Sequence, residues 1–238
     1  MRRRAGFAKL SDCSTSLVVL GRRGASRACV VSRESSIMHT GGTLVGTLYK
    51  LAWVLRAFLV APFFGRFGRG GYLGPPAFIS GSRRMYFGRA VRIFPGLRAE
   101  CIGTGSLTVG DDVSIGQGFH VIASGSVEIG EGALISANVF VTDTDHGFDN
   151  PDLPILRQPN VIRPTFIGRR CFLGVGARIQ AGTQLGDGCV VGANAVVKGA
   201  FPPYSMLAGA PARVVKHYDF EQSAWVRSGS VAISENRP

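Results

Sequence analysis

The segment TDTDHGF around His146 holds the strongest candidate for acid–base chemistry in the chain. A neutral imidazole accepts a proton near pH 7, and the carboxylates of Asp143 and Asp145 just before it could orient the ring or bind hydroxyl groups. A polar segment also leaves such side chains simply exposed to solvent. The residues alone therefore permit a general base at His146 without requiring one.

The cysteines and the other histidines do not form a recognisable site. The five cysteines have no close pair, so neither a disulfide framework nor a Cys-x-x-Cys metal or redox site is indicated, and we expect a reduced, cytoplasmic chain. Only four histidines occur, at positions 39, 120, 146 and 217, and they suit a zinc site of three imidazoles poorly. No metal is expected.

A six-residue ladder of aliphatic residues runs through the last two thirds of the chain. It comprises Met85, Val91, Leu97, Val109, Ile115 and Val121, interrupted only by Gly103, then after an eight-residue step Ile129, Ile135 and Val141, and finally Ile167, Leu173, Ile179, Leu185, Val191 and Val197. A period of six belongs neither to a helix nor to a simple strand, so each hexapeptide is interpreted as a short strand plus a corner.

Three hexapeptides predict a triangular coil of about 18 residues, in which each inward side chain stacks on the one a full turn later. Ile167 should then pack on Leu185, and Leu173 on Val191. The ladder fails over residues 142–166, a proline-rich stretch that we expect to project from the coil as a loop. His146 lies in that loop.

The front of the chain is basic and partly apolar. Residues 1–100 carry 17 Lys and Arg against 3 Asp and Glu, which suggests an anionic partner. We expect a membrane surface before nucleic acid, since no nucleic-acid-binding module is recognisable. Residues 1–37 lack a helical or strand period and are expected to be disordered or outside the native product. Residues 38–80 are expected to form an apolar helix and a Gly-rich connector.

The apolar segment Thr43–Phe64 is interrupted by Lys50 and Arg56, so a helix that spans the membrane is not expected. Three alternatives remain open for it. The helix could pack on the repeat domain, pack on a neighbouring subunit, or rest on an anionic membrane through Trp53 and the flanking cations Arg66 and Arg69.

The units VGDDVS, IGQGFH, IGEGAL, LGVGAR, LGDGCV and VGANAV resemble the hexapeptide-repeat acyltransferase family. The closing text FPPYSMLAGAPARVVK is similar to the terminal coil of that family. The resemblance implies a mainly β fold, a left-handed parallel β-helix over residues 81–216 with the loop 142–166, followed by a tail at 217–238. The left hand comes from the resemblance, because parallel crossovers are usually right-handed.

The resemblance is strongest to sugar O-acetyltransferases that act on maltose, galactosides and surface polysaccharides, and it implies that His146 is the general base. Those enzymes often carry an acceptor-binding Asn and Asp where this chain has Gly118 and Ala123. His120 and Asn138 lie near that surface and could take over, although a turn residue or a repeat filler is the simpler role for both.

For the donor, the resemblance implies that CoA lies in a groove near the C-terminal end, at the positions of Ala193, Lys198, Arg213 and Lys216. Cations there can meet phosphates, while a solvated basic surface is the alternative for Lys216. The family resemblance also implies a homotrimer with sites between subunits.

These expectations converge on an enzyme that transfers an acetyl group from acetyl-CoA to a sugar hydroxyl, in the synthesis of a surface polysaccharide or its lipid-linked precursor. The expected location is cytoplasmic, at the inner face of the membrane if that contact exists. The alternatives are an acetyltransferase that acts on an amine, an amino acid or an antibiotic, and, less favoured, a non-catalytic or zinc-binding β-helix protein.

Overall fold

The computed structural model describes residues 44–228, which form one helix followed by a stack of very short strands. The first elements are α1 (Leu44–Val60), β1 (Arg66–Phe67), β2 (Tyr72–Leu73), β3 (Phe78–Ser80), β4 (Met85–Phe87), β5 (Arg92–Ile93), β6 (Arg98–Cys101), β7 (Ser106–Val109), β8 (Ser114–Ile115), β9 (His120–Ala123), β10 (Ser126–Ile129), β11 (Leu134–Ile135) and β12 (Phe140–Thr142). They are followed by β13 (Thr144–His146), β14 (Asn160–Ile162), β15 (Thr165–Ile167), β16 (Phe172–Leu173), β17 (Arg178–Ile179), β18 (Gln184–Leu185), β19 (Val190–Val191), β20 (Val196–Val197), β21 (Ala200–Phe201), β22 (Ser205–Gly209), β23 (Ala212–Asp219) and β24 (Ala224–Arg227). Short 3₁₀ turns lie at Ala61–Phe63, Ser82–Arg84 and Ile155–Arg157.

Three parallel sheets form the sides of the coil. Sheet A has the order β1-β4-β7-β10-β15-β18-β21, and sheet C has the order β20-β17-β12-β9-β6-β3. Sheet B runs β2-β5-β8-β11-β16-β19-β22 and then continues into β23 and β24. Because consecutive strands of the coil fall in different sheets, the chain turns a corner after nearly every strand. This confirms the predicted solenoid, and its hexapeptide repeats fit a left-handed β-helix.

The inward side chains form continuous apolar columns. Ile167 is paired with Leu185, and Leu173 with Val191, as the six-residue spacing predicts. These side chains are completely buried, and burying each aliphatic side chain contributes roughly 1.5–3 kcal/mol. The three described cysteines, Cys101, Cys171 and Cys189, are free and buried in the same core. The core therefore runs along the axis of the coil.

The earlier coils are longer than the 18 residues that the simple repeat predicts. Val109 is paired with Ile129, 20 positions later, and Phe87 with Val109, 22 positions later. The extra residues lengthen the strands around one corner, where β9 and β10 each have four residues and meet at Ser124 and Gly125. The eight-residue step after Val121 is this wider corner.

The coil begins at Arg66, inside the stretch that the sequence suggested as a connector. Strands β1, β2 and β3 pair with β4, β5 and β6. Their inward residues Phe67, Leu73 and Ile79 continue the six-residue ladder backwards from Met85. The glycines serve close stacking here, because a Cβ on Gly71 would collide with the carbonyl oxygen of Val91.

The C-terminal residues also depart from expectation. Residues 217–228 are not a simple tail, since β23 pairs antiparallel with β22, and β24 pairs antiparallel with β23. The hairpin extends sheet B at the end of the coil. The sequence predictions for residues 1–37 and for the last ten residues fall outside the described part of the chain.

Helix α1 packs one side against the first coils. The Trp53 ring lies 5.7 Å from the Tyr72 ring and 6.1 Å from the Phe94 ring, and Ala57 is buried. Arg56 Nη1 donates to the carbonyl oxygen of Leu73 at 3.3 Å. Trp53 thus contacts the coil, so it is not one of the side chains left to meet a membrane. Within residues 44–228, no helix has the length and apolar character needed to cross a bilayer.

Candidate active site

The segment that interrupts the ladder is a β-hairpin that projects from the corner between sheets C and A. Strands β13 and β14 are antiparallel and place His146 directly opposite Asn160. Thr165 Oγ1 donates to the carbonyl oxygen of Thr142 at 2.8 Å where the chain returns to the coil. The predicted loop therefore has regular structure at its base, and its two strands carry the candidate catalytic group.

His146 is exposed and has one fixed nitrogen. Its Nδ1 lies 2.9 Å from Asn160 Oδ1. Because an amide oxygen only accepts hydrogen bonds, this contact requires the proton on Nδ1 and leaves the lone pair of Nε2 free. The free nitrogen is the one that can accept a proton from another molecule. Asn160 was missed at the sequence level, where nothing but its place across the hairpin could have identified it.

Asp143 anchors the hairpin. Its side chain is fully buried, and its two carboxylate oxygens accept hydrogen bonds from Ser124 N at 2.9 Å and Gly125 N at 2.7 Å. Thr144 Oγ1 donates to it at 2.7 Å. These contacts tie the start of the hairpin to the wide corner of the preceding coil. Among the described residues His146 is not a hydrogen-bond partner of this carboxylate, so any effect of Asp143 on the imidazole is indirect.

Asp145 instead forms ion pairs with two cations beside His146. Its Oδ2 lies 2.9 Å from Lys198 Nζ and 3.3 Å from Arg163 Nη1. Together with His146 and Phe148, these residues line a pocket of about 420 Å³. Asp149 also lines the pocket at this point, so two carboxylates balance the two cations there. Lys198 and His146 thus line the same pocket, and no local sequence motif predicts that they lie close together.

His120 and Asn138 line a different and larger pocket of about 750 Å³, with Phe140 and Arg178. The His120 ring lies 4.9 Å from the Phe140 ring, and its Nε2 is buried without a hydrogen-bond partner among the described residues. Burial, and then the nearby charge of Arg98, lower the pKa of His120, so its neutral form is favoured.

Asn138 is a corner residue. Its φ is +58°, in the left-handed region that Asn tolerates better than most residues, and its carbonyl oxygen accepts a hydrogen bond from Arg178 Nη1 at 2.6 Å. The pocket that Asn138 and His120 share lies where the strands of sheet C begin, whereas His146 leaves the sheet where β12 ends. Within one copy of the chain, the two candidate regions therefore lie at opposite ends of the strands of sheet C.

The four residues suggested for the donor lie at three places in the fold. Lys198 follows β20, at the corner that bears the hairpin. Ala193 lies at the corner between sheets B and C, while Arg213 and Lys216 lie on β23, opposite Ala208 and Met206 of β22. Strand β20, which Lys198 directly follows, contacts β23. No cluster of His, Cys, Asp and Glu that could hold a metal occurs in the part of the chain that the structure describes.

Comparison with known proteins gives consistent results. The model for the hexapeptide repeat of succinyl-transferase matches residues 106–143 and 164–198, and the gap between the two matches is the hairpin. The "Putative lipopolysaccharide biosynthesis O-acetyl transferase WbbJ" of Escherichia coli K12 is 32% identical over 160 residues, which cover 64% of this chain and 82% of that protein. The galactoside O-acetyltransferase of the same organism is 27% identical over 175 residues, or 70% and 73% of the two chains.

Among solved structures, a mutant of the N-acyltransferase AntD from Bacillus cereus, in complex with a dTDP-amino sugar and coenzyme A, superimposes with a TM-score of 0.58 at 18% identity. The alignment covers 70% of this chain and 91% of AntD. At this identity the likeness concerns the fold alone.

Proposed function

The chain belongs to the hexapeptide-repeat acetyltransferase family, and from this premise we propose that it transfers acetyl from acetyl-CoA to a sugar hydroxyl. The observation that carries the proposal is the His146–Asn160 pair, which leaves Nε2 of an exposed imidazole free beside a pocket that Lys198 and Arg163 help to line. Relatives named for lipopolysaccharide and colanic acid biosynthesis favour a surface polysaccharide or its lipid-linked precursor as the product. We propose a cytoplasmic reaction, at the inner face of the membrane when the acceptor is lipid-linked.

The proposed step needs one proton acceptor. His146 Nε2 takes the hydroxyl proton while the hydroxyl oxygen attacks the thioester carbonyl carbon. The tetrahedral intermediate then collapses, the C–S bond breaks, and the departing thiolate of CoA receives the proton from the imidazolium. The acetyl ester and free CoA are formed without a covalent enzyme intermediate. Asn160 holds Nδ1 throughout and keeps Nε2 aimed at the acceptor.

The donor is proposed to lie along the two groups of cations. Lys198 and Arg163 offer positive charge next to His146, and a phosphate of CoA could compete with Asp145 for them. Ala193, Arg213 and Lys216 would serve the distal part of the same donor. We propose that CoA spans two copies of the chain.

A homotrimer with sites between subunits would meet this requirement. The hairpin supports it, because Phe148 is 72% exposed and Leu156 is 92% exposed, as expected for side chains that a second copy covers. A trimer would also bring His146 of one copy towards the pocket of His120 and Asn138 in the next copy. There we propose that the acceptor sugar stacks on the His120 and Phe140 rings and binds Asn138.

The test is transfer of labelled acetyl from acetyl-CoA to a panel of glycans, lipid-linked sugars and amines, with products identified by mass spectrometry. We expect acetylated hydroxyls with the parent protein and a loss of about 10²–10⁴-fold in kcat for His146→Ala. Asn160→Ala should cost less, about tenfold, because the base remains but its ring is free to turn.

His217→Ala is the matched control, since this histidine is also exposed but lies on β23. It should retain full turnover. Unchanged turnover in His146→Ala would overturn the assignment of the base, and acetylated amines without acetylated sugars would replace the proposed acceptor class.

A further inference from the structure

Helix α1 is apolar on all sides, but the coil covers only one of them. A helix of that kind is normally buried all round. Its outward side instead exposes Leu48, Tyr49, Leu51, Val54, Leu55, Phe58 and Leu59, followed by Phe63 in the next turn. Phe58 is the most exposed of these, at 76%. We call this set the outward face of α1, and within residues 44–228 nothing lies over it.

The surroundings of this face are cationic. Residues 44–99 contain nine Lys and Arg and neither Asp nor Glu, and three of the nine, Arg89, Arg92 and Arg98, are paired with carboxylates that follow in the sequence. Several of these cations are satisfied by backbone carbonyls, such as Arg83 by Pro62. Lys50 and Arg69 are exposed, and neither has a side-chain partner in the described part of the chain. Arg69 also forms the rim of an apolar cleft of about 160 Å³ between α1 and the first coil.

We propose that the outward face of α1 rests on an anionic lipid surface. The apolar side chains would enter the boundary between headgroups and acyl chains, while Lys50 and Arg69 meet the phosphates. This contact rests on the proposed function in one respect, because it would place the enzyme at the surface that holds a lipid-linked acceptor.

Charge favours lipid over a second copy as the occupant of this face. Two copies joined through α1 would bring Lys50 and Arg69 of both together, with no nearby carboxylate between positions 44 and 99 to offset the repulsion.

The experiment is co-sedimentation of the full chain with vesicles at about 0.15 M salt. We expect binding to vesicles of phosphatidylglycerol mixed with phosphatidylethanolamine, and little binding to phosphatidylcholine alone. Leu55→Ser/Phe58→Ser should lower the partition coefficient about tenfold or more, because it removes apolar area from the lipid boundary. Lys50→Gln/Arg69→Gln should lower it about tenfold and weaken its dependence on salt.

Two matched controls accompany these variants. Leu134→Ser/Phe172→Ser removes exposed apolar side chains from sheet B, and Arg157→Gln/Arg170→Gln removes exposed cations far from α1 in the sequence. Both should bind vesicles as the parent does. The proposal is overturned if the parent does not bind anionic vesicles, or if the controls lose as much binding as the α1 variants. It is also overturned if light scattering shows that the native oligomer dissociates in Leu55→Ser/Phe58→Ser, because a second copy would then be the occupant of this face.

Transfer to a water-soluble acceptor separates this proposal from the proposed function. The α1 variants should keep that activity, since α1 is not part of the catalytic machinery. If the parent transfers acetyl in a His146-dependent way but does not bind vesicles, only the membrane contact fails. If it binds vesicles but transfers no acetyl, only the proposed function fails.

Discussion

The coil and the hairpin that interrupts it are held together by different forces. Inside the coil, buried aliphatic columns such as Leu173 on Val191 supply a non-directional stabilisation that accumulates with each turn. The hairpin depends on a few directed contacts, chiefly those of Asp143 with the corner at Ser124 and Gly125. Stability therefore resides in the coil and the candidate chemistry in the hairpin, so mutations should separate the two properties.

The largest expected effect is on the free energy of unfolding. Leu173→Ala leaves a cavity in a column that is completely buried, which should cost about 2–5 kcal/mol. Turnover measured well below the melting temperature should stay close to that of the parent. Denaturant unfolding and steady-state kinetics check the two halves of this expectation.

Leu134→Ala is the control for that variant. Leu134 lies on the strand next to Leu173 but points outward and is 50% exposed, so its loss should change the stability of the chain by less than about 0.5 kcal/mol. A strong loss of turnover in Leu173→Ala without a loss of stability would contradict the division between coil and hairpin.

The sequence predicts the coil well because each inward residue is separated from the next by one corner, so a local spacing carries the register. The sequence places the start of the coil too late in the chain. Gly68, Gly71 and Gly74 suggest a flexible connector there, whereas in the structure they permit close stacking of the first coils. The ladder positions Phe67 and Leu73 within that stretch already contained the signal.

The site is less accessible to such reasoning. His146 could be singled out by its segment and by resemblance, and it stays a prediction. Its partner Asn160 is set by the register of a hairpin, and the partners of Asp143 are backbone groups at positions 124 and 125. Lys198 reaches Asp145 only because the coils stack corner on corner. Contacts between distant segments leave no periodic trace in the sequence.

A smaller effect, and a sharper test of the hairpin, is expected from Asp143→Asn. The amide keeps the shape of the side chain but turns one acceptor into a donor that faces a backbone N–H, at a cost of about 1–3 kcal/mol. The cost should fall on the hairpin, so hydrogen exchange at residues 124–125 and 143–146 should accelerate while the coil stays protected. We also expect kcat to fall about tenfold as His146 loses its fixed position.

Asp152→Asn provides the comparison, because this exposed carboxylate lies in the same hairpin beyond the anchored base. Its exchange rates and kcat should match those of the parent. If Asp143→Asn accelerates exchange throughout the coil, Asp143 supports the whole fold, and the hairpin is not a separate unit.

The smallest expected effect concerns the pH dependence of stability at His120. Burial and the charge of Arg98 lower the pKa of this imidazole below its ordinary value of 6.5, so the unfolded chain takes up the proton more readily than the folded chain. Stability should therefore decline as the pH falls through about 6.5, and His120→Gln should remove that part of the decline. The side chain is 34% exposed, and solvent screening should keep the effect below about 1 kcal/mol.

Glu100 supplies the control with the opposite sign. Its carboxylate, 3.9 Å from His120 Nε2, raises the pKa of the imidazole, so Glu100→Gln should make the decline in melting temperature between pH 7.5 and 5.5 steeper. In a His120→Gln background the same change should leave the slope unaltered, because the group that titrates is gone. A slope that changes equally in both backgrounds would mean that Glu100 affects the titration of a group other than His120.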